Sequence, residues 1–400
     1  MSKRLLVLAA GRYQLDTIRC AKRLGHTVIT LDNCPGNPGH KEADKSYNVD
    51  TTDAKAVLEV ARRERIDGVI AACTDVAVPT AAFVAEELHL AGPPLEGARI
   101  ACNKFPFREF LARHEFPSPE GFHIDSRFEP GAGMFDGGPW IMKPNDSSGS
   151  KGIYIVRSQA EFIQHLPETL SFSPSGTGIL ERYIDGLQGT CEGILRRGEI
   201  ALSLVTDRLT ARPPFVATRG HVVPTSLPAP EQGTLLSTLS RVWRLLRILD
   251  GPFDCDFVAA GGVIFLLEIS PRLGGNCISA LMLEALDFDV VEHGVRVALG
   301  EDPEPPTDIG LRPAAAVILG VDVAGFLKYD RKEVEVLAQE QWVHAFSLDV
   351  AYGAAVQPFI NGRHRVGEAI LTGRDRADVE ARIAELNKRL DLQAVRDRVE

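Results

Sequence analysis

Four hundred residues exceed what a single hydrophobic core fills, so two or three domains are expected, and 44% hydrophobic with 24% charged residues is an ordinary globular composition. A net charge of −10 excludes a nucleic-acid backbone or an anionic membrane as the main partner. The seven cysteines are scattered without CxxC spacing, which opposes a disulfide framework or a zinc site and points to a reducing cytosol, hence a cytoplasmic protein. The apolar run Leu5–Ala10 is too short for a signal peptide, and no uninterrupted apolar stretch reaches the roughly eighteen residues of a membrane span.

Residues 3 to 98 alternate short apolar strands with helical patterns: Leu5–Ala9, a helix near Leu15–Leu24, Val28–Leu31, a helix near Ala54–Arg63, and Gly68–Ala72. This order predicts a parallel sheet covered by helices. Asp32 stands where a dinucleotide-binding fold keeps its ribose acid. The first turn, Ala10-Gly11-Arg12-Tyr13-Gln14, lacks the other glycines of that fingerprint, so Asp32 is read as a strand-end turn former. Thr74-Asp75 either borders a ligand crevice or caps a helix.

Asn103-Lys104 opens a helix over Phe105–His114. The strand Trp140–Pro144 then runs into Ser147-Ser148-Gly149-Ser150-Lys151-Gly152, and Ile153–Val156 resumes strand alternation. A Ser/Gly loop between apolar strands offers hydroxyls and unobstructed backbone N–H groups, which suits a phosphate chain; a flexible linker is the alternative. Lys143, on an otherwise buried strand, needs an anionic partner. Gly178–Ile184 is a strand, and Cys191–Leu195 forms a hairpin with Ile200–Val205.

Phe253 to Asn276 carries the sharpest signal. Two apolar arms flank Gly261-Gly262, with Asp256 on one and Glu268 on the other. An odd-length turn such as Gly261-Gly262-Val263 puts the two acids directly opposite each other, whereas a two-residue turn puts them on opposite faces. Facing carboxylates repel, and a hard divalent cation with oxygen ligands would hold them together. Two solvated acids on a surface hairpin are the bland alternative. Ser270 and Arg272 continue the face of Glu268. Near the C-terminus, Ala314–Leu319 and Gly353–Pro358 are strand-like. A final helix carries Val379, Ile383, Leu386 and Leu390 on one stripe, as core or as the contact of a homodimer.

The ordered set Lys104, Lys143, the SSGSKG loop, Glu181-Arg182-Tyr183-Ile184, Glu192, Asp256 and Glu268-Ile269-Ser270-Pro271-Arg272 resembles the ATP-grasp superfamily over most of the chain. The likeness is to the branch of biotin carboxylase and formate-dependent glycinamide ribonucleotide transformylase. It implies an α/β and α+β multidomain fold: a Rossmann-like pre-ATP-grasp domain over 1–98, an ATP-grasp domain over 99–310 with a lid near 118–185, and a small C-terminal domain over 311–400.

The resemblance also implies ATP with magnesium, or manganese in its place, and an ADP-forming joining of a small-molecule carboxylate to an amine. Lys104 and Lys143 would contact phosphates under a lid of Ser147, Ser148, Gly149, Ser150 and Gly152. Glu181, Tyr183 and Ile184 would form the adenine hinge, with Glu192 near the ribose or metal. Asp256, Glu268 and Ser270 would hold metal; Ser270 stands where many members have Asn, while E-x-S-P-R is the form of the transformylase. Arg272 would face the acyl phosphate or the substrate carboxylate. The acceptor is expected between Arg272 and Arg219-Gly220-His221, with Asn276 touching substrate. His221 either orients the acceptor and takes its proton near neutral pH, or is a turn histidine beside Pro224.

Overall fold

The computed structural model describes residues 2–211 and 215–397. Strand Arg4–Leu8 is buried on both faces: Leu5 and Val7 point into one core cluster, Leu6 and Leu8 into another. That is the burial a helix-covered parallel sheet imposes on every strand. The neighbours are Thr27–Leu31 on one side and Gly68–Ile70 on the other, all parallel, with helices Leu15–Arg23 and Ala54–Glu64 between them as expected. A short fourth strand, Lys45–Tyr47, extends the edge beyond the expected three. Asp32 is a turn former: its carboxylate accepts from the backbone N–H groups of Ala10 and Cys34, both at 2.8 Å, and from the Asn37 amide at 2.8 Å.

Residues 121–182 hold a sheet of their own, in the antiparallel order Gly121–Ile124, Gly178–Arg182, Trp140–Pro144, Tyr154–Val156, backed by helix Gln159–Ser171. The largest sheet has eight strands. It runs from the hairpin Val263–Ser270 and Gly251–Ala260 through Leu187–Arg196, Glu199–Thr210 and Thr218–Val223. It then continues into Ala314–Leu319, Gly367–Thr372 and Val343–Leu348. A division at residue 311 thus falls between strands of one ladder, with Gly220 opposite Val317 and Val223 opposite Ala314. Val379, Leu386 and Leu390 are fully buried and Ile383 packs beside them, so the stripe of helix Arg376–Leu390 is core and offers no subunit contact. The strand expected over Gly353–Pro358 shrinks to Ala355–Val356.

Strand Gly251–Ala260 sets up the site by simple alternation. Phe253, Cys255, Phe257 and Ala259 enter a core with Leu235, Leu239, Val242 and Trp243 of helix Ala229–Leu245. Asp254 and Asp256 therefore project from the opposite face.

Candidate functional site

The hairpin settles the question of the two acids in a way the turn alone does not. Gly261 and Gly262 have φ of +57° and +77°, a two-residue turn that closes the pair Ala260–Val263. A regular ladder from that turn puts Leu267 opposite Asp256. Instead the register shifts after Phe257–Leu266, and Asp256 pairs directly with Glu268. One inserted residue reverses the alternation, so Leu266 and Ile269 both reach the core while Glu268 joins Asp256. The odd-length turn is replaced by a two-residue turn plus a β-bulge. Arg108 holds the bulge, donating to the carbonyls of Leu266 at 3.2 Å and Leu267 at 2.6 Å.

This face lines a cavity of about 350 Å³ between the eight-stranded sheet and the sheet of residues 121–182. Lys104, at the start of helix Lys104–Arg113, donates to the Ser147 carbonyl at 3.0 Å and to Glu268 at 3.3 Å. It therefore links the Ser/Gly loop to the acids. Asp256 accepts from Thr190 at 2.8 Å and pairs with Arg208. Lys143 has its anionic partner in Glu181 at 2.8 Å, and Arg108 binds the other oxygen of the same carboxylate. With two cations against it, the fully buried Glu181 is held down to about 2 despite desolvation, while burial lowers Lys143. Tyr183 spends its N–H on the Pro139 carbonyl at 3.1 Å. The N–H of Ile184, at the cavity wall, has no backbone acceptor among the described residues.

Ser147, Ser148, Gly149 and Ser150 line the cavity together with Lys151. Gly149 and Ser150 are left-handed, so consecutive N–H groups turn to one side. Gly152 stands behind the loop rather than in it. At φ +65° a Cβ there would lie 2.8 Å from the Phe172 ring, and its carbonyl accepts from Thr169 at 2.8 Å.

Several expected site residues sit elsewhere. Along the sheet, Thr190, Asp256 and Glu268 form one row; Glu192, Asp254 and Ser270 form the next. Arg272 roofs the second row, bonding Asp254 and, across the domain junction, Asp75 at 2.6 Å. Glu192 is fully buried and receives the Gly274 N–H at 2.7 Å; its other oxygen has no partner among the described residues. It is off the cavity wall, and Gln188 occupies the wall position from its strand. Burial and Asp254 push Glu192 well above the usual carboxylate range, and Asp254 rises to about 6, chiefly by desolvation. Ser270 likewise faces Asp75 and lies 3.4 Å from the Cys102 sulfur, away from the row of Asp256 and Glu268. Arg272 does line the cavity, though its guanidinium is occupied by two carboxylates.

Arg219 is the extra residue of a second bulge: Leu209 pairs with Gly220 but Thr210 with Thr218. Its side chain turns to the Gly320 carbonyl at 3.1 Å and Asp322 at 2.7 Å, and leaves the cavity to Thr218 and His221. His221 is a strand residue, not a turn residue, and lies 3.1 Å from the Thr206 hydroxyl. Burial lowers it to about 4 against the pull of Asp256, so it is neutral near pH 7 and a weak base there. Because the unfolded chain binds the proton that this site refuses, stability is lost as pH falls from about 6.5 to about 4, by on the order of 3 kcal/mol. His221→Gln is expected to flatten that limb of the urea midpoint against pH; an unchanged limb would assign it to other groups. Asn276, left-handed at φ +53°, lines the cavity. Arg208, Asp254 and Arg363 reach it without having been foreseen.

Two hard carboxylates in register, flanked by lysines and an N–H-rich loop, fit a nucleotide triphosphate with its divalent cation. The comparisons agree. Residues 137–280 match the ATP-grasp domain family. A formate-dependent phosphoribosylglycinamide formyltransferase of Thioalkalivibrio sulfidiphilus is 24% identical over 96% of this chain and 94% of its own. The uncharacterized protein y4rH of Sinorhizobium fredii is 26% identical over 73% of this chain, which spans 62% of that protein's length.

Among solved structures, an L-amino acid ligase of Bacillus licheniformis superposes with a TM-score of 0.82 at 20% identity, over 99% of each chain. The biotin carboxylase domain of the Hydrogenobacter thermophilus 2-oxoglutarate carboxylase, crystallised as a dimer with MgADP, superposes at 0.74 with 17% identity over 99% of this chain and 92% of that one. These likenesses fix the fold, and the family match makes residues 137–280 an ATP-grasp domain.

Proposed function

We propose that the protein activates a small-molecule carboxylate by phosphorylation from ATP and joins the resulting acyl phosphate to an amine, with amino acids the favoured substrate class. One observation carries this reading: Asp256 and Glu268 are in direct register, with Lys104 bridging Glu268 to the Ser/Gly loop. A carboxylate is a poor electrophile, and transfer of the γ-phosphoryl group to it provides a leaving group for the amine to displace. Such transfer needs positioning and charge neutralisation more than covalent help.

Lys104 and Lys143 supply positive charge at the phosphates, with Lys143 aimed by Glu181. Ser147 to Ser150 and Lys151 close over them and keep water from the acyl phosphate. The Ile184 N–H donates to the adenine edge. Asp256 and Glu268 would hold magnesium, which would supply charge neutralisation for the phosphoryl transfer. His221, neutral, orients the acceptor through its ring rather than taking its proton. Arg272, fixed by Asp75 and Asp254, keeps the domain junction in place beside the reacting carboxylate. Seven unpaired cysteines accord with a reducing compartment. Among the described residues no helix is long and apolar enough to cross a membrane.

The test is ADP release over a panel of amino acids and other carboxylates, each with and without amine acceptors, including formate with glycinamide ribonucleotide. Stimulation by an amino acid pair supports the reading, and stimulation only by formate with the ribonucleotide replaces it with formyl transfer. ATP binding with no stimulation by any pair leaves a nucleotide-binding protein.

A further inference from the structure

A second cavity of about 300 Å³ opens beside the first and shares Tyr13, Cys73 and Gly275 with it. It is bounded by the start of helix Leu15–Arg23, the turn through Gly274 and Cys277, and Glu368 of strand Gly367–Thr372. An acceptor oriented by His221 in the first cavity would extend toward the domain junction into this space.

Its guanidiniums are all engaged. Arg12 pairs with Asp349 and lies 3.6 Å from Glu368. Arg365, just behind, meets Asp349 at 2.8 Å, Glu368 at 2.6 Å and the Tyr13 hydroxyl at 3.0 Å. Arg19 makes two bonds to Glu42, at 2.8 and 2.6 Å. Asp16 also faces the cavity and makes no hydrogen bond or ion pair among the described residues. Three guanidiniums thus stand against four carboxylates. A phosphate entering here brings a charge of about −1.5 to −2 to arginines already neutralised, and meets Glu368 on the wall with Asp349 behind Arg12.

Resting on the ligase reading, we infer that the acceptor is an unphosphorylated amine, such as a free amino acid, and that Asp349 and Glu368 are the residues that exclude a phosphorylated one. The two acids act by charge: they cancel Arg12 and Arg365 as an anion site and leave the ammonium of the acceptor the better-matched group. In the turnover panel, stimulation by glycinamide ribonucleotide, itself a phosphorylated amine, would overturn this inference; binding reads the discrimination without turnover.

The experiment is calorimetric titration of the full chain, with MgADP present, using serine and O-phosphoserine as probes. Wild-type protein is expected to bind O-phosphoserine no more tightly than serine. Glu368→Gln and the double variant Asp349→Asn/Glu368→Gln are expected to bind O-phosphoserine at least about tenfold more tightly than wild type does. Tighter wild-type binding of O-phosphoserine than of serine overturns the inference, and so does a folded Glu368→Gln protein with no gain. If the double variant does not fold, the wild-type ratio and the single variant decide. Failure of every pair to stimulate ADP release sinks the ligase reading separately and leaves these affinities measurable.

Discussion

Glu268→Gln is expected to lower ADP formation by roughly 10³-fold while leaving the melting temperature almost unchanged. The substitution keeps the size of the side chain and removes only its charge. A neutral amide oxygen is a poor replacement for a carboxylate toward a hard divalent cation. The fold has little at stake: the Glu268 side chain is 33% exposed, and its bond to Lys104 is a partly solvated ion pair worth about 1 kcal/mol or less. Relief of repulsion from Asp256, directly opposite, offsets part of that loss. Steady-state ADP release across a magnesium titration, beside thermal melts, measures both effects. Turnover within tenfold of wild type would remove Glu268 from the phosphoryl-transfer step.

What the sequence disclosed and what it hid divide along physical lines. The N-terminal parallel sheet was legible because strands buried on both faces are continuously apolar, as in Leu5–Leu8. The alternation of Gly251–Ala260 likewise put Asp256 opposite the Phe253–Phe257 face. A period of two gives the face of a strand but not the depth along it. Glu192 and Ser270 share the face of Asp256 and Glu268, yet one step along they lie beneath Arg272 and the Gly274 turn. Asp254 follows from the same period and could have been found from it.

Bulges were not legible. The one at Leu267 is held by Arg108 from a helix 159 positions earlier in the chain, and the one at Arg219 turns an expected substrate contact toward Asp322. Both depend on partners that no local pattern encodes. Arg363 reaches the cavity from the far end of the chain for the same reason.

The largest loss of stability is expected from Glu181→Ala. Glu181 is fully buried, and the two cations it serves are nearly so, with Arg108 at 5% and Lys143 at 7% exposure. Removing the carboxylate leaves two like charges facing each other in a space that water barely enters. Breaking a buried ion pair from one side costs about 3–5 kcal/mol, because the surviving charge stays desolvated. Arg108 also anchors the bulge that aims Glu268, so the damage extends to the Asp256–Glu268 pair. The variant should therefore lose nucleotide affinity as well as stability.

Lys143 supplies the internal check. Burial already lowers its pKa, and without Glu181 it falls further below the unfolded value. The folded variant then binds fewer protons than the unfolded chain over that range, so its stability rises with pH and the deficit shrinks as Lys143 discharges. Urea melts at pH 6 and pH 9 should show the larger deficit at pH 6. Lys143→Met, which leaves Glu181 its bond to Arg108, should lose less stability while still weakening ATP binding. Equal urea midpoints for Glu181→Ala and wild type at pH 6 would show that this buried triad does not hold the nucleotide cavity together.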